Sequence, residues 1–243
     1  EAAPTSQPTQ VTEATTPVEA TEAATPVEEE TTTPVEAAAP LAINADFQNQ
    51  PCSGEYIVML ATSGLVEEWE SKLGAAVNGV PGAKYLSGDG SCEAFLSVDP
   101  ASKDPIYNAY LGPYPTLESA CSTLAGLGER HSKAWVRMLA NPSKVRELCV
   151  CLDSAESLPS VAGGGDITNL GVQRLVSQAQ WAFVQMGLND IEHIYGNFTP
   201  EFRQQIVDFQ TGAGIAATGV LDEEFWSALQ ASYCGPSDFT VQR

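Results

Sequence analysis

The sequence contains few basic residues. It has 11 Lys and Arg against 31 Asp and Glu, which gives a formal net charge of −20. Residues 1–46 hold nine acids and no base, so the remaining 22 acids against 11 bases leave the rest of the chain at −11. Phosphate backbones and anionic lipid surfaces are bound by clusters of Lys and Arg. The charge therefore predicts no nucleic-acid partner and no direct binding to anionic lipid.

Long apolar runs are also lacking. No stretch approaches the roughly 20 apolar residues that a membrane-spanning helix needs, and no secretory signal peptide is present. The sequence starts abruptly at Glu1, so we expect that a signal or a membrane anchor could lie upstream of that residue. We expect the chain itself to be a monomer.

Motifs for catalysis, metals and cofactors are missing from the sequence. No HExxH, GxSxG or glycine-rich phosphate loop occurs, and only two histidines are present. His131 follows a predicted helix end, where the helix dipole favours a cation, and His193 lies in a predicted turn. We interpret both histidines as structural and predict no enzyme activity, no metal site and no cofactor.

Six cysteines are present, and none of them forms a CxxC pair or lies near a histidine at metal-binding spacing. Cys149 and Cys151 could form a redox pair, but three disulfides in an oxidising, extracytoplasmic compartment are the favoured interpretation. The pairing stays open at this stage, because six cysteines can combine in many ways. We also expect one of the pair Cys149/Cys151 to reach Cys234. The full set is Cys52, Cys92, Cys121, Cys149, Cys151 and Cys234.

Residues 1–46 consist mostly of Thr, Pro, Glu and Ala, and TPVE recurs at Thr16, Thr25 and Thr33. The first aromatic residue of the chain is Phe47, so this segment has no side chains with which to build a core. Spaced prolines and like charges favour an extended, solvated chain. The pattern predicts a disordered stalk, and a disordered tail without a task is the alternative.

Residues 52–152 alternate short apolar runs with helical patterns. Leu65, Trp69, Leu73 and Val77 are four residues apart, on one face of a predicted helix. The order β-α-β-β-α-β predicts a ferredoxin-like domain, in which two helices cover one face of a four-stranded sheet. The predicted strands are 56–62, 92–98, 106–112 and 134–139, and the predicted helices are 65–77 and 117–127.

This domain resembles the SPOR (sporulation-related repeat) family. The resemblance lies in "YIVMLATSG" and in "IYNAYLGPYPTLESA", where Tyr107, Gly112-Pro113-Tyr114, Thr116 and Ala120 follow the order of the family motif. It implies binding of glycan strands that lack stem peptides, through the open face of the sheet. Met59 stands where the family often carries Gln, so we expect a different part of the chain to hold the ligand.

Residues 153–166 are polar and glycine-rich, which predicts a linker. Residues 167–234 predict three helices. Thr199 is positioned to cap the second helix ahead of Pro200, and Asp222 is positioned to cap the third. The predicted fold class is therefore α+β: a disordered tail, a ferredoxin-like βαββαβ domain and a small three-helix domain.

The three-helix segment resembles the PG-binding-1 family, whose small domains bind bacterial peptidoglycan without cleaving it. About 60 residues correspond in register with the family pattern. The corresponding positions are Val176, Ala179-Gln180, Phe183, Met186-Gly187, the turn 192–196, Ile206, Phe209-Gln210, Gly214-Ile215, Gly219, Leu221, Trp226 and Leu229.

The ligand surface implied by this resemblance combines an aromatic face for sugar rings with amides for hydroxyl and peptide groups. Tyr195, Gln180 and Gln210 are the candidate ligand-binding residues. Core packing is the alternative for the tyrosine, and a bond at the helix surface or helix end is the alternative for each glutamine.

These features predict a non-catalytic, extracytoplasmic protein that associates with the bacterial cell wall and binds peptidoglycan, or the ectodomain of a membrane protein with that task. Two alternatives remain open. The chain could be the wall-targeting region of a peptidoglycan hydrolase whose catalytic domain lies elsewhere, or a protein-docking scaffold in the cell envelope.

Overall fold

The computed structural model of the chain describes residues 41–93, 95–140, 146–163, 169–189 and 196–234. The predicted stalk therefore lies outside the described residues up to position 40. Residues 41–46 belong to the fold instead, because Leu41 and Ile43 pack against the core and Asp46 begins a strand. The alternating apolar side chains of this short stretch explain why it joins the sheet.

One six-stranded sheet occurs in the described residues, in the order β1-β3-β4-β2-β5-β6. The four inner strands are antiparallel, β1 pairs with β3 in parallel, and β6 extends the other edge beside β5. This inner order, with helices after β2 and β4, is the predicted ferredoxin-like arrangement. The strands are β1 (Asp46–Phe47), β2 (Tyr56–Ser63), β3 (Lys84–Ser87), β4 (Tyr107–Tyr114), β5 (Trp135–Met138) and β6 (Arg146–Glu147).

The strand predicted over residues 92–98 is wrong. The second strand of the ferredoxin-like order is β3, and the stretch after it forms only an isolated bridge between Val98 and Pro105. Its apolar residues have another use, because Cys92 and Phe95 pack on the sheet face that carries no helices. A disulfide joins Cys92 to Cys52 just ahead of β2 and attaches this stretch to the sheet.

The described helices cover the other face of the sheet and form the C-terminal part of the fold. The helix predicted over 65–77 is irregular: a 3-10 turn (Val66–Glu68) and a π turn (Trp69–Leu73) precede its α-helical end. Thr116 caps α2 through a hydrogen bond from Ser119 N to its hydroxyl oxygen at 3.3 Å. The helices are α1 (Gly74–Val77), α2 (Leu117–Gly126), α3 (Leu170–Gln185), α4 (Pro200–Ala213) and α5 (Glu223–Leu229).

The helix-free face of the sheet is not open to solvent. Met59 and Tyr110 are buried there beneath Cys92 and Phe95, and the Gln50 side-chain amide donates a hydrogen bond to the Tyr110 hydroxyl at 2.7 Å. The SPOR resemblance implied that this face would be free to bind glycan. The structure corrects that expectation, because the stretch after β3 folds back over the face.

The C-terminal part has the predicted helices. Thr199 caps α4 with Pro200 in its first turn, and Asp222 caps α5 through a 2.9 Å hydrogen bond from Phe225 N. Phe183 of α3 contacts the rings of Phe209 and Phe225, and the three helices thereby share one aromatic core. The described part of the chain therefore confirms the α+β fold class.

The predicted linker is partly built into this helical core. In its described part, Ala155 and Leu158 pack against the core, and Val161 pairs with Leu221 through two 3.0 Å backbone hydrogen bonds. Leu148 and Val150, which follow β6, are buried in the same core. The sheet and the three helices are thus joined by packing, not by a free spacer.

Three disulfides connect all six cysteines: Cys52–Cys92, Cys121–Cys149 and Cys151–Cys234. The prediction of disulfides is confirmed, and Cys151 is the member of the pair that reaches Cys234. Within the described ranges, no helix is both long and apolar enough to cross a membrane.

Candidate functional site

The turn that precedes α4 is held by a buried glutamine. The side-chain oxygen of Gln180 accepts a hydrogen bond from Gly196 N at 3.0 Å, and its nitrogen donates to the Asn197 carbonyl at 2.9 Å. Only 2% of Gln180 is exposed. A single α3 side chain therefore satisfies two backbone groups of the turn, which would otherwise be buried without a partner.

The turn that precedes α5 is held in the same way. The side-chain oxygen of Gln210 accepts from Gly219 N at 2.8 Å, and its nitrogen donates to the Val220 carbonyl at 3.0 Å and to the Thr218 hydroxyl at 3.1 Å. Gln210 is fully buried. The Thr218 hydroxyl also donates to the Asp222 carboxylate at 3.3 Å, which ties the turn to the cap of α5.

Both turns depend on glycine. Gly196 has φ of +69° and Gly219 has φ of +68°, a left-handed conformation in which a side chain is strained. A Cβ atom at Gly196 would lie 2.7 Å from the Gln173 carbonyl oxygen, and one at Gly219 would lie 3.0 Å from Arg203 Cγ. Each glutamine thus bonds to the backbone of a glycine at a position where a larger residue would be strained and crowded.

The predicted ligand residues fall into two groups. Tyr195 lies outside the described residues. Gln180 and Gln210 have equivalent positions in the three-helix part of the chain, which we call the helical module: each lies on the helix before a turn. Both side-chain amides are buried against the backbone of that turn. Ligand contact by these glutamines stays a prediction, and the geometry assigns them a role in shaping the two turns. Asn197 and Thr218 are among the exposed residues of those turns.

A shallow groove of about 380 Å³ runs along the outer side of α4. Its lining is mainly apolar, and Leu188, which is 48% exposed, lies at its edge. The Gln205 amide donates to the Asn189 side-chain oxygen at 3.1 Å beside it. An apolar surface with flanking amides is suited to sugar rings and peptide groups.

A second concave surface lies where the sheet meets the helices. We name it the Arg146 cleft; its volume is about 180 Å³, and it is lined by Ser132, Lys133, Trp135, Arg146, Gln173, Ser177 and Gly196. The Arg146 guanidinium carbon lies 4.1 Å from the ring centre of Trp135 and 4.5 Å from that of Trp181. Sequence reasoning missed this site, because its residues come from β5, β6 and α3 and no local motif joins them.

The electrostatics around the cleft are set by burial. Burial lowers the pKa of Arg146 to about 10, and the neighbouring Arg137 guanidinium adds to the effect. Burial also raises the pKa of Glu147. Beneath the cleft, Arg174 of α3 donates to the Leu127 carbonyl at 2.9 Å and to the Ala125 carbonyl at 3.4 Å, which docks α3 against the end of α2.

His131 is buried below the same junction. Burial lowers its pKa, and the charges of Arg130 and Arg174 lower it further. His193, the other histidine, lies outside the described residues. In the ranges that the structure covers, no group of three His, Cys, Asp or Glu side chains is placed to hold a metal ion.

Comparison with known proteins gives a match in the C-terminal part of the chain. Residues 173–229 match the PG_binding_1 family model, described as "Putative peptidoglycan binding domain". The match begins in α3 and ends with α5, so it contains both glutamine–glycine turns. It supports the C-terminal resemblance and peptidoglycan as a partner. It does not include residues 52–152, where the SPOR resemblance stays a prediction. No curated protein and no solved structure matches the chain.

Proposed function

We propose that the chain is a non-catalytic, extracytoplasmic protein that associates with the cell wall by binding peptidoglycan through its C-terminal helical module. The observation that carries the proposal is the family match over residues 173–229, whose two turns are intact around Gln180 and Gln210. The exposed faces of those turns and the groove beside α4 are the surfaces offered to the polymer.

The extracytoplasmic location is supported by the disulfides. All six cysteines are paired, and disulfides persist in oxidising compartments and are rare in the cytosol. Peptidoglycan lies in such a compartment. The ligand and the redox chemistry of the chain therefore point to the same location.

Attraction between whole-molecule charges cannot supply the binding energy. The chain carries −20, and the anionic polymers of a cell wall would repel it. Binding must then come from short-range contacts such as stacking, hydrogen bonds and partly buried charge pairs, which salt screens less than long-range attraction. We therefore expect retention on peptidoglycan to change little with ionic strength.

The proposal is tested with purified peptidoglycan sacculi. Residues 1–243 are sedimented with sacculi and with cellulose as a polysaccharide control, at about 0.05 and 0.5 M salt. We expect retention on sacculi at both salt concentrations and none on cellulose. Failure to sediment with sacculi would contradict the proposal.

Intact chains are needed for this test. Leu148 and Val150 contribute to the helical core, and the Cys151–Cys234 disulfide joins the two parts, so cutting between sheet and helices would damage both. The non-catalytic role is checked in the same assay with dye-labelled sacculi. Release of soluble labelled fragments over time would show a hydrolase and overturn that part of the proposal.

A further inference from the structure

Arg146 lines the Arg146 cleft beside two tryptophans. Its guanidinium carbon lies 4.1 Å from the ring centre of Trp135 and 4.5 Å from that of Trp181. We call these three residues the Arg146 clamp. Cation–π contacts with two indoles restrict the planar guanidinium group without using its N–H donors, which lie along its edge.

The Arg146 guanidinium has no carboxylate partner in the described part of the chain. The salt bridge found there joins Lys72 to Glu68, and no hydrogen bond from Arg146 occurs among the described residues. Arg174 provides the contrast, because its terminal nitrogens are used by backbone carbonyls. An arginine that is partly out of water and that no described carboxylate pairs with costs stability, and an incoming anion would recover that cost.

The position of the clamp connects it with the peptidoglycan-binding module. The cleft is bordered by Gly196, whose turn Gln180 holds, and by Ser177 of α3. The opposite wall comes from β5 and β6 of the sheet domain. A polymer lying on the first turn of the module would therefore pass the arginine.

We propose that the Arg146 cleft binds a carboxylate of the peptidoglycan ligand, with the Arg146 guanidinium as its anchor and both parts of the chain as its walls. A planar, doubly donating guanidinium matches the two oxygens of a carboxylate. The inference rests on the proposed function and deepens it. Two carboxylate sources share this chemistry: the stem peptide, and the lactyl group of a muramyl sugar whose peptide has been removed.

The test combines variants of the full chain with chemically altered sacculi. Arg146→Met keeps an unbranched side chain beside the indoles and removes the charge. Arg130→Met is the matched control, because Arg130 is an exposed arginine that does not line the cleft. The three substrates are untreated sacculi, sacculi stripped of stem peptides by an amidase, and sacculi whose carboxylates are converted to methylamides.

We expect Arg146→Met to weaken binding to untreated sacculi by about ten- to a hundredfold, as loss of a charge-assisted hydrogen-bonded pair does. Arg130→Met should bind like the unaltered chain. Methylamidation should weaken the unaltered chain by the same factor and leave Arg146→Met unaffected, because the two changes remove one interaction. A tighter binding of the unaltered chain than of Arg146→Met on amidase-treated sacculi would identify the lactyl carboxylate, which the amidase sets free. Equal binding of the two on those sacculi, with a difference on untreated sacculi, would identify the stem peptide.

Equal binding of the unaltered chain and Arg146→Met would overturn the inference while leaving the proposed function in place. Additive losses from the variant and from methylamidation would overturn it as well. No binding of the unaltered chain to any sacculi would overturn both. The methylamidation of sacculi needs no variant, so it tests the inference even if Arg146→Met fails to fold by circular dichroism.

Discussion

The side-chain oxygen of Gln210 accepts a hydrogen bond from the backbone nitrogen of Gly219 at 2.8 Å. Gln180 and Gly196 have the same relationship at 3.0 Å, so the module contains two helix-and-turn units built on one plan. In each unit a buried side-chain amide makes the hydrogen bonds that water would otherwise make to the turn backbone, and the turn contains a glycine with a left-handed conformation. The backbone of both turns is thereby fixed from inside the core.

Replacing Gln210 by Leu should strongly destabilise the protein. The change leaves the Gly219 N–H and the Val220 carbonyl buried without partners, and each such group costs about 1–3 kcal/mol. We expect the free energy of unfolding in urea to fall by about 3 kcal/mol. Gln204→Leu is the control, because Gln204 is exposed on the same helix, and it should change stability by less than about 0.5 kcal/mol. Equal effects of the two substitutions would contradict the role of Gln210.

Alanine substitutions at Gly196 and Gly187 should distinguish the cost of backbone strain from the cost of a steric clash. Both glycines have positive φ, +69° and +73°, but a Cβ at Gly187 meets no atom within 4 Å, whereas one at Gly196 lies 2.7 Å from a carbonyl oxygen. Gly187→Ala should cost about 1 kcal/mol of unfolding free energy from strain alone. Gly196→Ala should cost at least about 2 kcal/mol more, because backbone must move. Indistinguishable urea midpoints would show that the turn adapts freely.

Features with local causes could be predicted from the sequence. The caps at Thr199 and Asp222 were predicted because a short polar side chain bonds backbone a few residues away, whatever surrounds it. The strand predicted over 92–98 failed because its apolar residues serve another surface: Cys92 and Phe95 cover the sheet face. An apolar run predicts that its side chains are buried, but it does not predict whether a strand or an irregular segment buries them.

The site was less predictable than the fold. The family pattern indicated Gln180 and Gln210, but their burial depends on turns that lie 16 and 9 residues further along the chain. The Arg146 clamp has no sequence signal of its own. Its stacking partner Trp181 comes from a helix in another part of the chain, and only the docking of that helix on the sheet brings the two together.

His131 should make stability depend on pH. The unfolded chain binds a proton at a pKa of about 6.5, whereas burial and then the charges of Arg130 and Arg174 lower the pKa in the folded state. The unfolded state therefore gains protons first as the pH falls, so this contribution to stability is complete above about pH 6.5 and is lost below it, toward the folded-state pKa.

The measurement is the free energy of unfolding of the unaltered chain and of His131→Gln between about pH 5 and 7.5. The difference between the two should narrow as the pH falls, because only the unaltered chain loses the histidine contribution. Burial raises the pKa of Glu147, which gives the opposite slope, but it does so in both proteins and cancels in the comparison. A difference that stays constant with pH would show that His131 titrates alike in both states.

The Cys151–Cys234 disulfide should stabilise the join between sheet and helices. It closes a sequence separation of 83 residues, and chain entropy predicts a contribution of about 4 kcal/mol for a loop of that length. The double variant Cys151→Ser with Cys234→Ser should lose roughly that amount of unfolding free energy in urea. The Gln230 amide, which donates to the Val150 carbonyl at 2.6 Å, would remain as a weaker tie between the same segments.

Two measurements on the unaltered chain establish the pairing on which that loss depends. Titration of the unfolded, unreduced protein should detect no free thiols, because the structure pairs all six cysteines. Peptide mapping without reductant, with fragmentation of the backbone between Cys149 and Cys151 in the mass spectrometer, should recover Cys151 with Cys234 and Cys121 with Cys149. Recovery of Cys149 with Cys234 would contradict the assignment. The same exchange would leave Cys121 to pair with Cys151, so α2 would be tied two residues further along the same 3-10 turn.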